Sequence, residues 1–272
     1  MRNLITGAAL IVLAAFAPMS AHAADIAPVY KAPPAPVTTY SWTGFYIGGN
    51  AGYSWSESDA TYVQPPGTPG FFGGAPFDVN GFSRTLSLDD RFVGGGQIGY
   101  NWQAGNWVFG IESDLQWRNS SGSFSEVFPQ FADVLTMQSE EKWFGTTRGR
   151  VGWAVNNWLY YATGGVAYGR VEDTVTRFCA ALCNRFEAQT SSRTLTGWTV
   201  GGGVEAIVWQ NWTIGAEYLY VDLGDNTVVS PGIPGTALAP PASTDFEHRF
   251  HVARLKLNYK FGYGKAPVVA KY

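Results

Sequence analysis

Aromatic residues recur at a ten-residue spacing in this chain of 272 residues, and this feature limits the fold more than any other. The spacing separates Phe92 from Trp102, Trp107 from Trp117, Trp143 from Trp153, and Trp158 from Tyr168. Residues an even number of positions apart share one face of a β-strand. Ten residues of a strand tilted by roughly 40° rise about 25 Å, which is the height of the apolar band on a transmembrane β-barrel. The spacing therefore predicts strands with an aromatic side chain at each edge of a membrane.

Tryptophan also brackets three short turns, in the segments "NWQAGNW", "VGWAVNNW" and "WQNW". The amphipathic indole ring is favoured at a membrane–water interface. We therefore expect two aromatic girdles that include Trp55, Trp102, Trp107, Trp117, Trp143, Trp153, Trp158, Trp198 and Trp212.

The residues between the aromatic positions alternate in polarity. In "WVFGIESDLQW" one face carries Phe109, Ile111 and Leu115, whereas the other carries Glu112 and Asp114. A soluble β-sandwich would show the same alternation, but not aromatic residues at fixed spacing on its apolar face. Apolar-out and polar-in alternation is the pattern of a transmembrane barrel.

The pattern repeats in eight segments, near 43–55, 91–103, 106–118, 142–153, 158–170, 196–208, 212–222 and 248–261. Short connections alternate with four long ones, near 56–90, 119–141, 171–195 and 223–247, which we expect to be external loops. The predicted fold is all-β, an eight-stranded antiparallel transmembrane up-and-down β-barrel. An even strand count places both termini in the periplasm.

The N-terminus has the features of a secretory signal. Arg2 precedes an apolar run from Leu4 to Phe16, and "AHA" at 21–23 is a cleavage site. A membrane anchor is the alternative, but the run is too short to span a bilayer. We therefore expect a signal peptide at 1–23, a Pro-rich periplasmic linker at 24–42, the barrel at 43–261 and a short periplasmic tail at 262–272.

Composition excludes one class of partner. Only 14% of the residues are charged and the net charge is −3, so the chain has no basic footprint for nucleic acid.

The inward face of the predicted strands nevertheless carries four acidic and four basic residues: Glu112, Asp114, Glu205 and Glu217, with Arg148, Arg150, Arg254 and Lys256. An eight-stranded lumen is narrow enough for side chains to fill. These charges predict a closed polar network; the alternative is an ion path.

Signals for other chemistry are weak. Gly94, Gly96 and Gly99 match a dinucleotide-loop spacing, but they lie inside a predicted strand with no helix after it. His248 and His251 stand near two acidic residues, which could suggest a metal or hydrolytic site. They lie three apart on a strand and so face opposite sides, and we interpret them as polar residues of the rim. No catalytic residue, metal site or cofactor is predicted.

Cys179 and Cys183 are the only cysteines. A C-x3-C pair could bind metal, but neither histidine of the mature chain is near it in sequence. An exported chain passes through an oxidising compartment. We therefore predict an intramolecular disulfide that pins the tip of an external loop.

Three segments, "WTGFYIGGNAGYSW", "GTTRGRVGWAVNNWLYYATGGVAYG" and "LNYKFGYGKAPVVAKY", resemble the small outer-membrane β-barrel porin-family proteins of alpha-proteobacteria. These are related to the opacity-type and OmpA-type eight-stranded barrels. The resemblance implies a location in the outer membrane, with outer-membrane lipid and lipopolysaccharide around the barrel. It also implies that Phe261 is the terminal aromatic that the barrel-assembly machinery reads.

The resemblance is specific for fold and location but not for activity. A structural role in envelope integrity and surface contacts is the expected function. The alternative is a weak porin or a protein that binds a small ligand such as haem through its loops, with Phe71, Phe72 and Phe77 as candidates. A lipid-modifying enzyme is a third possibility. The His-x-Ser pattern of one lipid A deacylase type is replaced here by His251 and Ala253, so the nucleophile is missing.

Overall fold

The structure is a computed structural model that describes residues 40–56, 58–63, 82–86, 91–128, 133–180, 184–232 and 241–261. Ten β-strands lie in these ranges, within the compact unit Thr38–Tyr272. They are β1 Gly44–Ser56, β2 Ser58–Val63, β3 Phe82–Leu86, β4 Arg91–Ala104, β5 Trp107–Phe128, β6 Asp133–Val155, β7 Trp158–Cys179, β8 Arg185–Trp209, β9 Trp212–Ser230 and β10 Ala242–Lys260. No helix in the described ranges is long and apolar enough to cross a membrane.

Eight strands form a closed antiparallel ring in the order β1, β4, β5, β6, β7, β8, β9, β10. β1 pairs with β10 to close the ring, so that Ala51 lies opposite Leu255 on one side and Gly94 on the other. The prediction of an eight-stranded antiparallel barrel is confirmed.

Short connections join the strands at one end of the ring, at 105–106, 156–157 and 210–211. Gly105 and Asn156 have φ of 62° and 52°, the left-handed region that glycine and asparagine tolerate best. Because short turns of outer-membrane barrels face the periplasm, we call this the periplasmic end and the opposite end the outer end.

The wall between the two girdles follows the predicted alternation. Outward side chains such as Ile111, Leu115 and Leu255 are more than half exposed on the lipid-facing surface. Inward side chains such as Glu112 and Arg254 are 2% exposed. The alternation places apolar groups against lipid and polar groups in the lumen, as expected for a strand that crosses a bilayer.

Where the structure describes them, the four long segments are mostly strand and not the loops that the sequence suggested. β5 continues to Phe128 and β6 begins at Asp133, so most of 119–141 is strand. β7 and β8 extend in the same way through most of 171–195, β9 and β10 through much of 223–247, and β2 and β3 lie in 56–90. The expectation of loops was wrong because these segments alternate in the opposite sense, with Leu135 and Met137 inward and hydroxyl or charged residues outward. Beyond the bilayer the surroundings are aqueous, so the apolar face turns inward.

The extended strands separate into two groups at the outer end. β8 pairs with β9 only up to Trp198 and Asp222, and β5 pairs with β4 only up to Trp117 and Gly94. Beyond those points β5 to β8 form one sheet, and β9, β10, β2 and β3 form the other. One apolar cluster joins the two sheets: Leu135, Met137, Val175 and Cys179 from the first pack with Ala60, Tyr62, Val228, Ala242 and Phe246 from the second. The outer extension is therefore a two-sheet sandwich built on the barrel.

Candidate functional site

The lumen between the girdles holds all eight charged residues predicted to face inward, and each is at most 5% exposed. Glu112 and Asp114 come from β5, Arg148 and Arg150 from β6, Glu205 from β8, Glu217 from β9, and Arg254 and Lys256 from β10. The same strand alternation that points apolar residues at lipid points these side chains at the barrel axis. Residues distant in sequence thereby meet in one cluster.

Arg148 and Arg254 are the centres of this cluster. Arg148 Nη2 lies 2.6 Å from Glu112 Oε1 and 2.8 Å from Asp114 Oδ2. Arg254 Nη2 lies 2.8 Å from the same Asp114 oxygen and 2.5 Å from Glu217 Oε2. The guanidinium groups of Arg148 and Arg254 thus share the Asp114 carboxylate. Together they bridge the acidic side chains of Glu112, Asp114 and Glu217.

Lys256 and Arg150 complete the ion pairs. Lys256 Nζ lies 2.7 Å from Glu112 Oε2 and 3.3 Å from Glu217 Oε1. Arg150 Nη1 lies 2.8 Å from Glu205 Oε1. Four acidic and four basic groups therefore neutralise one another, which offsets part of the large desolvation cost of each buried charge.

Two tyrosines extend the network, and sequence reasoning missed them. The Tyr46 hydroxyl donates to Glu112 Oε2 at 2.7 Å, and the Tyr161 hydroxyl donates to Glu217 Oε1 at 2.9 Å. Both occupy inward positions by strand parity, which is the signal that could have revealed them. Gly99, part of the glycine pattern noted above, lies in β4 against the Tyr46 ring, where a side chain would clash with it.

The periplasmic end of the lumen is closed by the segment before β1. Trp42 is 2% exposed and packs with Val108, Ala154 and Leu159. Its backbone N–H donates to Gln103 Oε1 at 2.7 Å. The domain boundaries drawn from sequence assign Trp42 to the linker, but here it fills the mouth of the barrel. Tyr40 packs beside it, and burial, with a smaller contribution from Glu205, raises the pKa of Tyr40 to about 12.

An apolar layer lies on the outer side of the charged network. Its buried members come from five strands of the ring: Val93, Phe144, Ala167, Val171, Leu219, Val221, Leu223, Phe250 and Val252. Leu195 of β8 packs against them. The layer separates the charged network from the polar groups beyond it.

A second polar layer follows, and it contains His248. The structure buries His248 to 1% exposure, so its interpretation as a rim residue was wrong. Nδ1 lies 3.1 Å from Glu141 Oε1, and Nε2 lies 3.1 Å from Asp173 Oδ2. Arg118 pairs with the same Glu141. Glu141 and Asp173 lie in segments that the sequence suggested were loops, whereas Arg118 and His248 lie at the outer ends of predicted strands.

His251 faces the other way, as its spacing predicted. Its ring stacks on Trp55 with centroids 5.5 Å apart, and Nδ1 lies 2.7 Å from the Tyr218 hydroxyl. Among the described residues no group of three or more His, Cys, Asp and Glu side chains is arranged to hold a metal ion.

The nine predicted girdle tryptophans lie on the outside of the wall. Trp102, Trp107, Trp153, Trp158 and Trp212 surround the periplasmic end, and Trp55, Trp117, Trp143 and Trp198 lie near the outer girdle. Seven of them are more than a third exposed, whereas Trp55 and Trp143 are half-buried against neighbouring rings. Trp209, which is 70% exposed, belongs with the periplasmic group and was left out of the predicted set.

Two other predicted residues occupy strand ends. Phe261 follows β10; its backbone N–H donates to the Phe45 carbonyl at 2.7 Å, and its ring lies 5.1 Å from that of Tyr259. Cys179 ends β7, is buried in the sandwich and is disulfide-bonded. Cys183 lies outside the described residues, so its pairing with Cys179 stays a prediction. Phe71, Phe72 and Phe77, the signal peptide, residues 24–39 and the tail 262–272 also lie outside them.

Comparison with known proteins agrees with this architecture. Residues 8–261 match the family model described as outer membrane protein beta-barrel domain. The 31 kDa outer-membrane immunogenic protein of Brucella melitensis is 37% identical, over 92% of this chain and 99% of its own length. A 22 kDa outer membrane protein of Rhizobium leguminosarum is 33% identical, over 67% of this chain and 64% of its own length.

Solved structures similar to the chain are also outer-membrane proteins. OprG from Pseudomonas aeruginosa has a TM-score of 0.47 and 12% identity, covering 83% of this chain and all of that chain. Neisserial surface protein A has a TM-score of 0.35 and 14% identity, covering 80% of this chain and 98% of its own. With its closed ring and its close Brucella and Rhizobium relatives, the chain belongs to the outer membrane protein beta-barrel domain family and resides in the outer membrane of a Gram-negative bacterium.

Proposed function

We propose that this protein is a non-conducting outer-membrane barrel whose role is structural, and that it presents its outer sandwich for contacts at the cell surface. The observation that carries the proposal is the filling of the lumen. Trp42 at the periplasmic mouth, the ion-pair network, the apolar layer, the His248 layer and the sandwich core follow one another along the barrel.

The filling disfavours a pore. Water and ions would have to displace buried charged groups that already form ion pairs with one another, and then cross a layer of apolar side chains. Each displaced charge would lose partners in a region that excludes solvent, which typically costs several kcal/mol per ion. A weak porin would therefore need a large rearrangement of the interior.

Surface contact is supported by the outer extension. The Brucella relatives are named as outer-membrane immunogenic proteins, which supports a surface-exposed part in this chain. In this chain the sandwich has a buried apolar core and hydroxyl-rich outward faces, so a folded body projects beyond the membrane. The partners proposed for the remaining surfaces are outer-membrane lipid and lipopolysaccharide around the girdles, and the barrel-assembly machinery at Phe261.

Planar-bilayer recording on refolded protein tests the proposal. We expect no stable conductance steps from the wild-type protein. A variant that removes the mouth and part of the network, Trp42→Ala with Arg148→Ala, should show leaks, and Trp209→Ala, which alters only an exposed girdle residue, should not. Regular single-channel steps from the wild type would contradict the sealed lumen.

The enzymatic alternative has its own measurement. Overexpression of the protein should leave the mass of lipid A unchanged, because Ala253 stands where the His-x-Ser pattern has its serine, and Trp55 and Tyr218 hold the His251 ring on the outer wall. A new lipid A species that depends on His251 would replace the structural role with a lipid-modifying one.

A further inference from the structure

The lipid-facing wall of the barrel carries a groove on the strands around the ring closure. Two adjoining hollows of about 900 Å³ and about 740 Å³ form it. They share four residues, which lie side by side in one row across β1, β10, β9 and β8: Ala51, Leu255, Ala216 and Val204. All four point outward by strand parity, so the groove opens toward the bilayer and not toward the lumen.

The groove extends over the height of the apolar band. Its ends lie at the two aromatic girdles, with Tyr53, Phe92 and Tyr218 at the outer end and Trp158, Trp212 and Tyr259 at the periplasmic end. Between the girdles, small side chains such as Ala216 and Ala253 lie beside larger ones such as Leu255 and Leu257. The apolar band of a barrel is about 25 Å high and the hydrocarbon of one leaflet is about 15 Å thick. The groove is therefore long enough to hold an acyl chain.

The groove lies within the lipid-facing belt, and its concave shape selects among occupants. In a bilayer, apolar surfaces associate mainly through van der Waals packing, so a hollow that stays unfilled loses contacts. A second copy of this chain fills it poorly. A two-fold axis along the membrane normal brings the same face of both copies together, and groove against groove leaves a gap. A flexible acyl chain can follow the groove along its length.

Aromatic rings and a carboxylate lie directly beyond the outer end of the groove. On the outward face of β9, the groove residue Tyr218 is followed by Tyr220 and Asp222. The Tyr220 ring packs against that of Trp198 with centroids 5.4 Å apart, and Asp222 lies opposite Trp198 in the register. Both the faces of such rings and a carboxylate attract a cation.

The charges at this end also favour a cationic group. Beyond the girdle, the described outward positions of β9 and β10 hold four carboxylates and one cation: Asp222, Asp225, Asp245 and Glu247, with Arg249. Arg249 Nη1 lies 2.8 Å from Glu247 Oε2, and its Nε lies 3.4 Å from Asp222 Oδ2. One guanidinium thus serves two carboxylates, and the excess negative charge attracts an ammonium group and repels a purely anionic headgroup.

We propose that the groove binds a zwitterionic phospholipid of the outer membrane, with an acyl chain in the groove and an ammonium headgroup against Asp222 and the Trp198–Tyr220 pair. Phosphatidylethanolamine has this chemistry. Unmodified lipid A carries phosphate groups without an ammonium group, so the carboxylates disfavour it. The inference deepens the proposed contact with outer-membrane lipid and rests on that contact.

Native mass spectrometry of the full-length protein, refolded in detergent, tests the headgroup. It measures the fraction of the protein that retains one added lipid. The probes are phosphatidylethanolamine, phosphatidylglycerol with the same acyl chains, and lipid A. We expect phosphatidylethanolamine to be retained at about a tenfold lower concentration than either of the other two.

Variants separate the acyl chain from the headgroup. Ala216→Leu should weaken the retention of phosphatidylethanolamine about tenfold, because the larger side chain takes the space of the acyl chain. Val151→Phe is the matched control: it enlarges an exposed side chain of β6 on the opposite side of the ring and should retain the lipid like the wild type. Asp222→Asn with Glu247→Gln should abolish the preference for phosphatidylethanolamine over phosphatidylglycerol. Heat-dependent gel mobility shows that each variant is folded.

Equal retention of phosphatidylethanolamine and phosphatidylglycerol by the wild type would overturn the headgroup assignment, and so would preferential retention of lipid A. Wild-type retention by Ala216→Leu would overturn the groove as the site of the acyl chain. Bilayer recordings test the structural role separately. A sealed lumen with any of these results leaves the non-conducting barrel intact, and channel steps with the expected lipid retention would remove the sealed lumen but not the lipid site.

Discussion

At the scale of single residues, the interior of the barrel follows from strand parity. Once Trp107 and Trp117 are placed on the lipid side, Glu112 and Asp114 must face the lumen, and the sequence predicted all eight inward charges in this way. Their pairing did not follow from the sequence, because it depends on register and on side chains that cross the lumen. Arg254, for example, reaches Asp114 at a separation of 140 positions.

Arg148→Ala is expected to destabilise the barrel strongly. Arg148 contacts Glu112, Asp114 and Glu217, so its loss leaves buried carboxylates with too few partners. Removing one partner of a buried ion pair typically costs about 3–5 kcal/mol. Urea-induced unfolding of the refolded protein in detergent, followed by tryptophan fluorescence, measures this loss of free energy of unfolding.

Arg170→Ala is the matched control, because Arg170 is exposed on the outer face of β7 and should change the free energy of unfolding by no more than about 0.5 kcal/mol. Adding Glu112→Gln to Arg148→Ala should restore part of the loss, since it removes one of the unpaired charges. Equal effects of Arg148→Ala and Arg170→Ala would contradict the network.

At the scale of elements, each strand changes its environment along its length. β6 buries Arg148 and Arg150 among polar groups within the membrane, and beyond a register shift near Lys142 it buries Leu135 and Met137 in an apolar core. The aromatic residues of the girdles set both ends of each predicted strand. At the periplasmic end, the predicted and observed ends of the strands agree. The outer ends were missed because the alternation reverses beyond the outer girdle, where hydroxyl and charged residues occupy the solvent-facing positions of the strands.

Leu135→Ala is expected to loosen the sandwich while the membrane-embedded ring stays folded. Leu135 is fully buried where the two sheets pack, and a Leu→Ala cavity typically costs about 2–5 kcal/mol. The contacts of the sandwich core lie beyond the outer girdle. The loss of stability therefore affects the outer extension. Limited proteolysis of intact cells should cut the variant in its outer segments faster than the wild type.

Thr136→Ala provides the comparison for this variant. Thr136 is the next residue of β6, points outward and shares a hydroxyl contact of 2.9 Å with Ser125. Its substitution should leave the proteolysis rate close to that of the wild type. Slow cleavage of both variants would mean that Leu135 contributes little to holding the two sheets together.

At the scale of the whole molecule, the closure of the strands into a ring was the property easiest to predict from the sequence. The filling of the lumen was the hardest. An even number of strands with paired girdles implies a ring, since an open edge inside a bilayer would leave backbone groups without partners. The plug of Trp42, the His248 layer and the sandwich core depend on contacts between distant segments with no sequence spacing of their own. Together these features fill the interior of the barrel with side chains. This filling is the basis of the proposed structural role.

The closed ring predicts heat-dependent migration on a denaturing gel. Every strand of the ring pairs with two neighbours, so the folded barrel has no membrane-embedded edge from which detergent can begin to unzip it. Unboiled, detergent-extracted protein should therefore migrate at a different position from boiled protein. Cys179→Ser should show the same shift, because the predicted disulfide lies at the tip of the sandwich, far from the ring closure between β1 and β10. Identical mobility of boiled and unboiled wild type would argue against the barrel. If the wild type shows the mobility shift and Cys179→Ser does not, the disulfide stabilises the ring as well as the tip of the sandwich.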